Sequence, residues 1–325
     1  MGACGVQVSE KYGGNFEKGR SYFLYATFLL LWKHHHRDAL QWYRAAAPVS
    51  LCSGDRIYAS FSQLHVGTSM LTLGYNLSDA LHEAETCFED VHSWSSSVQV
   101  NILAISIIRT IKALQGQTFY NTPEVFDGDD GFNSDHFITE SCKGSSNPEV
   151  GLNWYDSYKM IPLVLYGHTD TAIELGSKCI KTMYLHPCHK HTRMMVFYYS
   201  LALINKMRQN IDADEKEKLL DQVKMNQNIL YEWATNSKIN FMMYWVLIEA
   251  ELASLGDSPD ISKACRLYEE AMDSAREGAW YLELCVINEY AGEFYERIGM
   301  HNVAYGFIKK VHTRANSHIK SMLIG

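Results

Sequence analysis

The sequence predicts an all-α fold, a solenoid in which helix pairs stack along the chain. Three observations predict it. Apolar residues recur at steps of three and four, which return to one face of a helix. Small residues sit within those faces and Gly at their ends, as expected where helices approach closely and tight turns join them. Only 6 of the 325 residues are Pro, so long helices are permitted.

Composition narrows the class. The chain is 47% hydrophobic and 20% charged, which suits a folded protein and not a disordered one. Its formal charge of -8 leaves no basic footprint, so no nucleic acid is expected as a partner. The best apolar run, 22–32, is too short for a membrane span. The eight cysteines are scattered and form no CxxC, which fits a reducing, cytoplasmic setting better than a disulfide framework.

Residues 1–18 read as an N-terminal tail. Gly2 and Cys4 invite an acylation reading, but Val6 stands where that pattern needs Ser or Thr. Helix pairs are expected over 19–117. Within Arg20–Leu51, Ala39, Tyr43 and Ala46 carry small–aromatic–small spacing, and His34–His36 fall at a turn read as solvated. From Asp55, the residues Ile57, Tyr58, Phe61, Leu64 and Leu71 make an apolar face. Gly74 marks a turn, and Ala80, Ala84 and Cys87 resume the small-residue spacing. Ala39 to Ala80 is a step of 41 residues. Val98–Leu114 is a further apolar helix ending near Gly116.

The register is then lost, and 118–147 reads as a loop insertion at the surface. Its run Asp127–Asp130 fails as a calcium loop, because Phe132 and Ile138 stand where Gly and an acidic residue are needed. It does not match the aspartate-rich spacing of all-helical terpene synthases either.

Pattern returns over 148–320, read as helix pairs of the same solenoid, before a short C-terminal tail at 321–325. Trp154, Tyr155 and Tyr158 line a helix that also holds Pro162, and they are the candidates for a groove or pocket. Gly167, Ala172 and Cys179 recover the repeat spacing. The stretch HPCHKH that follows gives the weak metal candidates His186, Cys188, His189 and His191, right in chemistry for zinc but without a second ligand pair elsewhere. Helices are expected over Met194–Met207, over Asp212–Thr235 and over Phe241–Leu255, which ends at Gly256.

The strongest pattern lies in Ser262–Ile319. Gly292, Tyr295, Gly299, Ala304, Ile308 and Val311 are spaced three, four, five, four and three residues apart. The step of five crosses a helix break at Gly299. Gly292, Tyr295, Gly299 and Ala304 resemble the tetratricopeptide repeat, whose ideal period is about 34 residues. Ile308 stands where an aromatic is common, and the repeat's early Trp and final Pro are absent. The resemblance implies a right-handed superhelical solenoid of divergent repeats, in which Ala39, Tyr43, Ala46, Gly167, Ala172, Gly292, Tyr295, Gly299, Ala304 and Ile308 pack helices.

A wider resemblance covers nearly the whole chain from Gly19. It is carried by GRSYFLYATF at 19–28, GDRIYASFS at 54–62, FDGDDGF at 126–132 and RLYEEAMDSAREGAWYLELCVINEYAGEFYERIGM at 266–300. These stretches are similar to a helical region of large fungal and bacterial hybrid sensor kinases, two-component proteins that combine it with a Ser/Thr-kinase-like domain, an AAA ATPase, a GAF domain and a histidine kinase. The resemblance implies a scaffold or regulatory role, with those domains among the partners, and it offers no catalytic residue and no cofactor.

No phosphate loop, HExxH, GxSxG elbow or kinase signature is found. The expected function is therefore a non-catalytic interaction module that binds a protein or peptide in a concave helical groove. A small-molecule effector-sensing domain is the second reading, with 118–147 and 153–166 framing a pocket. A helical enzyme of unfamiliar chemistry is the third.

Overall fold

Side-chain caps set where several helices begin. Asp55 accepts from the Tyr58 N–H at 3.3 Å, Asn133 from His136 at 2.8 Å, Asp212 from Glu215 at 2.8 Å and Asp260 from Lys263 at 2.9 Å. Each satisfies a donor that a helix start leaves without an internal partner. The structure is a computed structural model. It describes residues 2–94, 97–143, 145–256 and 258–318, with the side chains of 2, 94 and 311–318 outside that description.

Among the described residues the chain is all-helical. The helices are α1 (Gly2–Tyr12), α2 (Asn15–Leu24), α3 (Ala39–Cys52), α4 (Arg56–Thr72), α5 (Leu77–Trp94), α6 (Val98–Leu114), α7 (Ser134–Cys142) and α8 (Pro148–Leu165). There follow α9 (Thr169–Thr182), α10 (His191–Met207), α11 (Ala213–Asn236), α12 (Lys238–Ala253), α13 (Ile261–Glu277), α14 (Tyr281–Arg297) and α15 (His301–His318). A π turn at Tyr25–Leu29 and 3₁₀ turns at Leu30–Trp32 and His36–Asp38 join α2 to α3.

The helices form two kinds. From α2 to α14, each even-numbered helix packs against the next even-numbered one, and apart from the short α7 the odd-numbered helices lie beside the even ones that flank them. Sequence explains the division. In α10, residues from His191 to Ile204 are buried on every side. In α13 only Ala264, Leu267, Tyr268, Ala271, Met272 and Ala275 are buried, all on one stripe.

The segment between α2 and α3 reaches the far part of the chain. Ser237 Oγ donates to the Leu31 carbonyl at 2.6 Å, and Asn240 Nδ2 donates to the Leu31 and His34 carbonyls at 2.7 and 2.8 Å. Asn240 Oδ1 accepts the His36 N–H at 2.9 Å. Trp32 meets Trp233 with ring centroids 4.7 Å apart, and His36 stacks on Trp280 at 6.0 Å.

Several expectations need correction here. Residues 1–18, read as a tail, contain α1 and the start of α2, and Val6 is buried. His36, assigned to a solvated turn, is buried, while His34 is exposed. Ile57 points to solvent although it was placed on an apolar face. The 118–147 segment is no simple surface loop. It contains α7 and buries Val125 and Phe126 completely, because Arg109 Nε ties the Phe126 carbonyl at 2.7 Å and Arg109 Nη1 pairs with Asp130 at 2.5 Å. The tail at 321–325 lies outside the described residues, as does the Val311 side chain.

Candidate functional site

The residues that hold titratable chemistry meet at the inner end of α10. A short 3₁₀ turn, Met183–Leu185, ends α9 and leads into the HPCHKH stretch, whose last residue opens α10. There His186, His189 and His191 gather against Trp154, with ring centroids 4.8–5.6 Å apart among the three histidines. Trp154 lies 4.8 Å from His186 and packs on Phe61. The rings are held by different partners. His186 Nε2 bonds the Val150 carbonyl at 3.0 Å, and His191 Nε2 bonds Asn153 Oδ1 at 3.1 Å. Burial lowers all three: His186 to about 4, and His189 and His191 well below the ordinary histidine value.

Cys188 is exposed and its backbone has φ 61°. Among the described residues no group of three or more His, Cys, Asp or Glu is placed to hold a metal ion. The clustered histidines instead fill space and satisfy backbone and amide groups.

Lys190, between two of those histidines, does something different. Its amine reaches inward to His36 Nε2 at 2.9 Å and Ser69 Oγ at 3.0 Å. The residue as a whole is half-buried, but its amine end is enclosed by the buried His36 and Ser69. Among the described residues it has no carboxylate partner, and burial holds the amine well below the ordinary lysine value. Lys190 lines a cavity of about 20 Å³ together with Leu31, His36, Asn240, Tyr244 and Trp280. That is room for about one water molecule.

Beyond Tyr244 the polar character continues. Tyr244 donates its hydroxyl to Glu283 Oε1 at 2.6 Å, while Glu283 Oε2 has no hydrogen-bond partner. Burial pushes the Glu283 carboxyl up to about 7, against the Tyr244 hydrogen bond, which holds it down. Tyr268 bonds Glu251, and Arg208 pairs with Glu251 at 2.6 Å in a neighbouring buried set.

The residues singled out from sequence are distributed as follows. Trp154, Tyr155 and Tyr158, expected at a groove, are buried in the core. Tyr155 bonds Ser134 Oγ at 2.7 Å, and Thr110 Oγ1 bonds the Tyr158 carbonyl at 3.2 Å. Ala39, Tyr43, Ala46, Ala172, Gly292, Tyr295 and Ala304 are buried at helix contacts. Gly167 and Gly299 are exposed at turns with positive φ, and Ile308, although partly exposed, lies against Gly292. Sequence reading missed Lys190, Ser69, Asn240, Tyr244 and Glu283. The one local signal was the HPCHKH stretch itself, which drew attention to the histidines on either side of the lysine.

Compared with protein-family models and with curated proteins, the chain matches none.

Proposed function

We propose that this chain is a non-catalytic regulatory and protein-docking module of a signalling protein, built as a right-handed superhelix of divergent tetratricopeptide-like helix pairs. The observation that carries the reading is the order of packing. Even-numbered helices follow one another along the interior, and most odd-numbered helices flank them. Stacked helix pairs bury a shared core and leave an extended surface for partners. The burial of Ala39, Tyr43, Ala46, Gly292 and Ala304 at helix contacts supports the repeat reading. So does the closeness of Gly292 to Ile308 and Ala304, where α14 meets α15. The similarity of 19–28, 54–62, 126–132 and 266–300 to the helical region of hybrid sensor kinases supports the signalling role.

On this reading the partners are protein domains of the kinase-like and ATPase types, in a cytoplasmic setting. Large exposed side chains such as Tyr12, Tyr184 and Tyr305 are suited to anchor them. No helix among the described residues is long and apolar enough to cross a membrane. Titration calorimetry of the chain against purified Ser/Thr-kinase-like and AAA ATPase domains of the resembled proteins tests the proposal. Saturable one-to-one binding is expected. Absence of binding to every such domain contradicts it.

A second reading, small-molecule sensing, is favoured by the open cleft of about 320 Å³ lined by Ile180, Tyr184, His186, Arg193, Ile229 and Trp233. It predicts that a metabolite raises the melting temperature, since a ligand of the folded state stabilises that state.

A further inference from the structure

Arg193 is a cation that the fold encloses and does not neutralise. It stands in the first turn of α10 and is 2% exposed. Among the described residues no carboxylate pairs with it, and Glu232 favours its charge without forming an ion pair. Nη1 donates to the His189 carbonyl at 2.6 Å and to the Thr192 hydroxyl, while Nε has no hydrogen-bond partner. The guanidinium lies against the Trp233 ring. Enclosure of this kind is costly for a charge that arginine does not give up.

The position on the helix adds to the cost. The first turn of a helix carries partial positive charge and favours acidic residues, yet the first turn of α10 holds none. Guanidinium and helix end therefore present positive charge together, and an anion relieves both.

Space for an anion lies alongside, because Arg193 lines the open cleft of about 320 Å³. Ile180, Met183, Ile229 and Trp233 give the cleft apolar walls, and Thr192 gives it a hydroxyl. His186, on the same cleft, is lowered to about 4 by burial and so is neutral near pH 7. Among the residues that line the cleft, Arg193 alone is then charged. A dianion such as a phosphate monoester would leave one charge unbalanced against apolar walls, whereas a single carboxylate matches. A planar carboxylate also accepts two parallel bonds from one edge of a guanidinium. The volume is near the lower end for ligand sites and suits one ring or a short chain.

We propose that this cleft binds a small monocarboxylate with an apolar body, its carboxylate paired with Arg193. The proposal rests on the small-molecule reading and adds to it the charge and class of the ligand.

Cys188, exposed on the same cleft, reports its occupancy. The intact chain is treated with N-ethylmaleimide, and peptide mass spectrometry reads the rate at each cysteine, with the exposed Cys4 and Cys52 as internal controls. The probes are 3-phenylpropionate and its neutral amide, 3-phenylpropionamide, which are alike in size and shape. Each is added at about 10 mM and at matched ionic strength. The carboxylate is expected to slow Cys188 at least about threefold and to leave Cys4 and Cys52 unchanged, and the amide to protect far less. In Arg193→Met the two probes are expected to protect alike. Equal protection by both probes in the wild type overturns the proposal and leaves the small-molecule reading standing. No protection by either probe overturns both. A carboxylate preference that persists in a folded Arg193→Met chain also overturns the proposal; if that variant does not fold, the wild-type comparison decides.

Discussion

Glu283 shows how burial sets chemistry one residue at a time. Its carboxyl, carried on α14, is fully enclosed and takes one hydrogen bond from Tyr244. Folding raises it from the ordinary glutamate range to about 7. Below about pH 4.5 both folded and unfolded chains hold the proton, and the full stability is present. Between that value and about 7 only the folded chain holds it, so stability falls as pH rises, and the contribution is lost above about 7. Glu283→Gln keeps an acceptor for Tyr244 and removes the titration. Urea unfolding at pH 5 and pH 8 should show the variant gaining on the wild type, by on the order of 3 kcal/mol across the window. Parallel curves at the two pH values would show that Glu283 is not held neutral by the fold.

At the scale of elements, helix junctions carry the organisation. Gly74 ends the turn after α4 with φ 68°, and a Cβ there would come within 2.6 Å of the Leu282 nitrogen in α14. The position is thus constrained twice, by a left-handed backbone that L residues avoid and by a helix from the far part of the chain. Gly74→Ala is expected to destabilise the protein by about 2 kcal/mol, read as a lower melting temperature. An unchanged melting temperature would mean that α4 and α14 do not meet there.

Much at this scale was legible in the sequence. The periodicity over Val98–Leu114 marks α6 to the residue, a cap at Asp212 or Asp214 marks the start of α11, where the structure has Asp212, and Gly299 marks the break between α14 and α15. These signals are local: a cap, a stripe or a turn residue acts within a few positions. What the sequence left hidden depends on contacts between distant segments. Trp154 has the same period whether it faces a groove or a core, and His36 looks like a turn residue until Asn240 is seen to hold it. Likewise 118–147 has no period, yet Phe126 is buried because Arg109, in α6, captures its carbonyl. The candidate site is the extreme case, since Lys190, Ser69, His36, Tyr244 and Glu283 come from five separate stretches.

For the whole molecule, the decisive feature is that the chain's early turn is fastened to its later helices beside a small cavity. Asn240 is the fastening point. It is buried, and it satisfies the Leu31 and His34 carbonyls and the His36 N–H at once. Removing it takes a partner from all three; the Leu31 carbonyl keeps Ser237 Oγ at 2.6 Å, whereas the buried His36 N–H loses the amide oxygen that satisfies it, which is costly. Through these bonds Asn240 joins the turn before α3 to α12, beside the cavity that Lys190 borders.

Native-state hydrogen exchange on the wild type and on Asn240→Ala tests that claim most directly. The account predicts that the substitution speeds exchange together in α3 and α4 and in α12 and α14, by about thirtyfold or more for a loss of about 2 kcal/mol. Faster exchange confined to the few amides around residue 240, with α3, α4 and α14 unchanged, would contradict it.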